Sequence, residues 1–140
     1  MWDCRPPPTF HILHPMSTTL REYDLSAKST DVFGRVALDV RQQHLIIDGP
    51  VQNGCPGEAI TPPEAFLGGV AACCVELVQV IAKETGKTIG DVSVKLHGWM
   101  DRAKQKRTDV TVLNSVHLDV VITGTDAATA AQLVEGFKRR

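Results

Sequence analysis

Apolar and polar residues alternate without a break from Asp91 to Met100, with Val92, Val94, Leu96, Gly98 and Met100 on one side and Asp91, Ser93, Lys95, His97 and Trp99 on the other. Successive strand side chains point to opposite faces, so this period predicts a half-buried strand. The same period runs through Leu20 to Ala27, where Tyr23, Leu25 and Ala27 alternate with charged or small residues. It recurs from Asp31 to Arg41, with Val32, Val36, Leu38 and Val40 set against Arg35, Asp39 and Arg41. His44 to Asp48 is a shorter strand candidate, stopped by Gly49-Pro50. Val110 to Thr123 resumes the alternation, and its break of phase at Leu113 to Ser115 predicts a bulge or turn.

Between these strands the period changes. Thr61 to Gly86 reads TPPEAFLGGVAACCVELVQVIAKETG, and from Phe66 to Ala82 its only strongly polar residues are Glu76 and Gln79. Thr61 and Glu64 have the capping-box spacing, and Pro62 suits a first helical position because its missing N–H is not needed there. Lys83 and Lys87 complement the negative end of the helix dipole, and Gly86 can take the left-handed conformation that closes a helix. A helix apolar nearly all round must be enclosed by protein or membrane. Broken by Glu76, the apolar run reads as too short for a membrane span of about 20 residues, so a buried core helix is expected. Gly68 and Gly69 cost about 1 kcal/mol each relative to alanine inside a helix. Close approach by another backbone would account for them, as would a kink or a later helix start. A second helix is expected after Asp126, with Ala127, Ala130, Ala131, Val134 and Phe137 on one face.

Strands, central helix, strands and terminal helix make an α+β order, the early strands forming an antiparallel meander. One sheet cannot cover a helix that is apolar on every side. A symmetric partner packing its own helix and sheet against it is the simplest cover, which predicts a homodimer. The 140 residues fit one domain, taken as 16–140. Residues 1–15 are proline-rich and unpatterned, and are expected to be a disordered tail or an over-extended start, Met16 opening the natural sequence.

A net charge of −1 provides no field for nucleic acid or anionic lipid. The basic stretch Arg102 to Arg107 is expected to be a solvated loop. Cys4, Cys55, Cys73 and Cys74 form no CxxC, and the N-terminus has no signal-peptide pattern, so free thiols in the cytoplasm are expected. Adjacent helical cysteines point about 100° apart and lack a second spaced pair, which speaks against zinc.

The run Thr61-Pro62-Pro63-Glu64-Ala65-Phe66-Leu67-Gly68-Gly69-Val70-Ala71-Ala72-Cys73 resembles the signature of the OsmC/Ohr family, osmotically inducible protein C and organic hydroperoxide resistance proteins. The HLIIDGP and VSVKLHG segments extend the resemblance more loosely over Ser17 to Arg140. It implies an OsmC-like fold, antiparallel sheets around a long buried central helix in an intertwined homodimer. The implied activity is thiol-dependent reduction of organic hydroperoxides, and more weakly hydrogen peroxide, in oxidative-stress defence, without metal or other cofactor. The alternative is a non-catalytic dimer of the same fold. Counting from Pro62 puts the implied peroxidatic cysteine at Cys73.

A thiol in an apolar wall needs a nearby cation to ionise, and the helix dipole has faded three turns in. The family places an arginine on the early strands. Arg35, taken as mid-strand on the polar face, is the first choice, with Arg21 and Arg41 open. Glu64 matches the family's glutamate only with a one-residue offset, since the position used by the best-known members is Pro63. In a regular helix it lies about 13.5 Å along the axis from Cys73 and half a turn out of phase, so capping competes with catalysis for it. The family's resolving cysteine would follow the last helix, where this sequence has none. A truncated sequence, an external dithiol of the lipoyl type or another thiol, or loss of the cycle would each account for that. Cys55, in the loop before the helix, is geometrically conceivable as a substitute.

Overall fold

Two antiparallel sheets and two helices make up the structure, a computed structural model that describes residues 20–140. The proline-rich stretch, Cys4 and the expected start at Met16 lie outside the described residues. β1 (Ser26–Ser29), β2 (Arg35–Val40) and β3 (Gln43–Asp48) form the meander. α1 (Pro62–Glu84) follows, then the paired strands β4 (Val92–Trp99) and β5 (Ser115–Ile122), and finally α2 (Ala127–Phe137). The α+β order read from the sequence is the one found.

Three strands are shorter than their alternation predicts, β2 among them, since it begins only at Arg35. β1 starts at Ser26, and the reason is register: Ser26 stands opposite Asp39, so residues before Leu25 run past the end of β2 and have no ladder to join. Residues 110–114 stay outside β5, as the phase break at Leu113 to Ser115 implies. That connection is held by side chains instead. Asn114 Oδ1 accepts from the Asp101 amide at 2.7 Å, and Gln105 Nε2 donates to the Val112 carbonyl at 3.1 Å.

Both ends of α1 follow from its sequence. The Glu64 carboxylate accepts from the Thr61 amide at 2.7 Å and from the Thr61 hydroxyl at 2.8 Å. At the other end Gly86 has φ +66°, Lys87 N donates to Ala82 O at 2.8 Å and Gly86 N to Lys83 O at 3.2 Å. This pairing satisfies carbonyls that the last turn would leave unbonded. In α2 the Asp126 side chain accepts from Thr129 N at 2.9 Å, the expected cap.

The core lies where α1 meets the β4–β5 sheet and α2. Cys74, Val78, Ile81 and Ala82 of α1 and Leu133 of α2 are buried, and Val92, Val94, Leu118, Val120 and Ile122 pack against them from the alternating inner face. Burying each large aliphatic side chain contributes about 1.5–3 kcal/mol. Gly98 lets the helix approach: a Cβ there would stand 2.8 Å from Leu67 Cδ1.

The central helix is covered along one stripe only. Phe66 is 64% exposed, and a Cβ at Gly68 or Gly69 would meet nothing within 4 Å among the described residues. Neither a close backbone among the described residues nor a late helix start explains those glycines, since α1 is continuous from Pro62. The β1–β3 sheet touches α1 only lightly through β3. Its Leu45 and Ile46 are exposed, as are Tyr23 and Leu25 before it. The sequence expectation on membrane spans is corrected in one respect: at 23 residues α1 is long and apolar enough to cross a membrane by length and composition. Its buried stripe is instead packed against β4, β5 and α2.

Candidate active site

Adjacent positions on a helix differ by about 100°, and that angle separates the two cysteines of α1. Cys74 falls on the buried stripe and is fully enclosed, whereas Cys73 is exposed. Burial pushes the Cys74 thiol up, and the neighbouring Cys73 adds to the rise. Cys74 is therefore a neutral core thiol, and Cys73 is the one that solvent reaches.

Arg35 is the first residue of β2, a correction to its expected mid-strand place. It is not a solvent-facing strand residue. Arg41 and Gln42 form a two-residue turn, Arg41 with φ +57°, and the resulting register sets Arg35 directly opposite Asp48. Arg35 Nε donates to Asp48 Oδ1 at 2.7 Å and Nη2 to Oδ2 at 2.9 Å, a side-on bidentate pair. Nη2 also donates to Glu58 Oε2 at 2.7 Å. Asp48 is fully buried and its Oδ2 accepts two further bonds, from the Glu58 and Ala59 amides at 3.0 Å each. Its own amide donates to Ile60 O at 3.1 Å. The guanidinium holds the Asp48 carboxyl well below the usual carboxylate range, and the pair raises the Arg35 pKa in turn. Of the other candidate cations, Arg41 is at the turn tip and Arg21 is exposed ahead of β1.

Cys55 is seated beside this cluster. Cβ atoms added at Gly34 and Gly49 would stand 2.2 and 2.4 Å from its Sγ, so two glycines make the space the thiol fills. Gly34 also needs its freedom at φ +77°. Glu64 is committed to the Thr61 cap, whose amide and then hydroxyl lower its pKa. Among the described residues no hydrogen bond or ion pair joins Cys73, Arg35 and Glu64 to one another. Three or more His, Cys, Asp or Glu residues placed to hold a metal ion are not found among the described residues.

Asp48 and Glu58 were not among the site residues expected from the sequence. A signal for Asp48 was present: a two-residue turn at Arg41-Gln42 pairs position 35 with 48. Glu58 had none, because its reach depends on the irregular loop before α1.

The family model described as OsmC-like protein matches residues 55–140, more than half of the chain. No curated protein sequence matches it. Among solved structures, an OsmC-like protein from Mycoplasma pneumoniae superposes with a TM-score of 0.72 at 17% identity, covering 86% of this chain and 82% of that one. An organic hydroperoxide resistance protein from Elizabethkingia anophelis gives 0.70 at 17% identity, covering 87% and 84%. An organic hydroperoxide resistance protein OsmC from Legionella pneumophila gives 0.68 at 23% identity, covering 86% and 84%.

Proposed function

The chain belongs to the OsmC-like protein family, and from that premise we propose that it is a thiol-dependent peroxidase that reduces organic hydroperoxides, with Cys73 as nucleophile. The observation that carries the reading is the contrast between an exposed Cys73 and an enclosed Cys74 within the matched segment. Similarity to proteins named for organic hydroperoxide resistance supports the substrate class.

In this reading the Cys73 thiolate attacks the distal peroxide oxygen. The S–O bond forms as O–O breaks, the alkoxide takes a proton and leaves as alcohol, and Cys73 is left as a sulfenic acid. One thiolate of an external dithiol then attacks the sulfenic sulfur, the S–S bond forms as S–O breaks, and the departing hydroxide takes a proton to leave as water. Its second thiol displaces Cys73 from the mixed disulfide and closes the reductant's own disulfide. Arg35 supplies the cation that favours the Cys73 thiolate. Glu64 contributes by fixing the start of α1.

A homodimer completes this proposal. The unpaired side of α1 and the exposed Leu45 and Ile46 of the first sheet are apolar surfaces that a second copy covers. Arg35 belongs to that lightly attached sheet, so the cysteine it serves sits at a junction of two copies. The opposing reading, a non-catalytic dimer in the cytoplasm, draws on the neutralisation of Arg35 by Asp48 and Glu58.

Consumption of cumene hydroperoxide with dihydrolipoamide or dithiothreitol decides between them. Turnover abolished by Cys73→Ser and kept by Cys74→Ala is expected. Equal turnover in Cys73→Ser ends the peroxidase reading.

A further inference from the structure

One buried carboxylate joins two parts of the proposed site. Asp48 takes the side-on Nε/Nη2 edge of Arg35, while its Oδ2 and its amide bind the Glu58 and Ala59 amides and the Ile60 carbonyl. Ile60 immediately precedes Thr61, the cap of α1. Three of the five guanidinium protons are thereby used, one on Nε and two on Nη2, the second of these by Glu58. The two on Nη1 meet no acceptor among the described residues.

We propose that Asp48 is a positioning residue, which fixes the Arg35 guanidinium so that its Nη1 edge faces the thiolate and, through the same carboxylate, sets the entry to α1. This rests on the proposed service of Arg35 to Cys73. Asp48 is enclosed and touches no reactant; it acts through the arginine. Glu58 is different in kind. Its carboxylate is 75% exposed and among the described residues meets only Nη2, so it can leave without loosening the fork.

Charge and orientation make opposite predictions, which gives the test. If Asp48 only neutralised Arg35, Asp48→Asn would strengthen the cation and speed the reaction of Cys73. If Asp48 orients Arg35, the same change slows it, because Asn presents an N–H₂ to the Nε edge while its oxygen can still accept from the Glu58 and Ala59 amides. The measurement is alkylation of Cys73 by iodoacetamide in the full chain from pH 5 to 10, followed at the Cys73 peptide by mass spectrometry. No peroxide turnover is needed.

Asp48→Asn is expected to slow alkylation about tenfold at pH 7, one unit in the apparent thiol pKa, and to leave the plateau at high pH unchanged. Arg35→Lys keeps the charge and loses the planar fork, so it too is expected to slow. In an Arg35→Gln background Asp48→Asn should add nothing, because its effect passes through the arginine. Faster or unchanged alkylation in Asp48→Asn overturns the proposal, as does a wild-type profile in Arg35→Lys should the Asn variant not fold. An unchanged profile in Arg35→Gln overturns both this proposal and the pairing beneath it. Absence of peroxide turnover, with the alkylation coupling intact, removes the peroxidase reading and leaves Asp48 as the positioning residue.

Discussion

Arg35 and Asp48 stand at directly paired positions of β2 and β3, and their side chains close the pair from Nε to Oδ1 at 2.7 Å and from Nη2 to Oδ2 at 2.9 Å. The hairpin's two-residue turn therefore decides where the Arg35 guanidinium is held. Sequence distance hides this, because the two residues are separated by the whole hairpin.

A pH dependence follows from the depressed Asp48 pKa. The folded chain holds the carboxylate ionised below the unfolded value of about 3.9, so it binds fewer protons there than the unfolded chain. The stabilisation is complete above that value and is lost as pH falls through it toward the lower folded pKa. Thermal unfolding of the wild type should thus lose Tm steeply from about pH 5 downward, and Asp48→Asn should show a shallower fall. Glu64, Glu84 and Asp126 also have lowered pKa values, so some slope persists in the variant. Parallel curves would refute the role given to Asp48.

The two cysteines separate by stability as well as reactivity. Cys74 is enclosed with Val78, Ile81, Ala82 and Leu133, so Cys74→Ser buries a hydroxyl in an apolar site at a cost of about 1–3 kcal/mol. Cys73→Ser changes an exposed position and should leave the denaturation midpoint within about 0.5 kcal/mol of the wild type. Urea titrations of both variants check this. A larger loss at Cys73 would show that a second copy encloses it.

Local signals in the sequence were strong enough to give the elements, and long-range geometry was not. Thr61, Glu64 and Gly86 mark α1 because capping chemistry acts over three or four residues, and the alternation from Val92 to Trp99 matches one inner face of a strand. The end of β1 was misplaced because a strand needs a neighbour as well as a period, and β2 does not extend to meet residues 20–24. Only the motif count separated Cys73 from Cys74 in the sequence; in the structure Cys73 is exposed and Cys74 buried. Asp48 went unrecognised because it lies thirteen positions from its partner and its other contacts come from the loop before α1.

Glu64 offers a way to divide structure from chemistry at the start of α1. Its carboxylate accepts from the Thr61 amide and hydroxyl, and these bonds form without Cys73. Glu64→Ala should lower Tm by a few degrees, roughly what a lost helix cap costs a domain of this size. Alkylation of Cys73 at pH 7 should remain within about twofold of the wild type, a difference of well under half a pKa unit. A tenfold fall in that rate would return Glu64 to the catalytic group.

Gly68 and Gly69 test the second copy most directly. Among the described residues of one chain a Cβ at either position meets nothing, so alanine there should stabilise α1 by about 1 kcal/mol per site through helix propensity alone. The proposed dimer predicts the opposite sign. If the partner lies against this open side, each added methyl group pushes the copies apart, and overpacking at a tight contact costs about 1–3 kcal/mol. Gly68→Ala and Gly69→Ala should then lower Tm in a manner that depends on protein concentration, with sedimentation shifting toward monomer. A concentration-independent rise in Tm for both variants would mean that this side of α1 stays open, and the case for the dimer would rest on the first sheet alone.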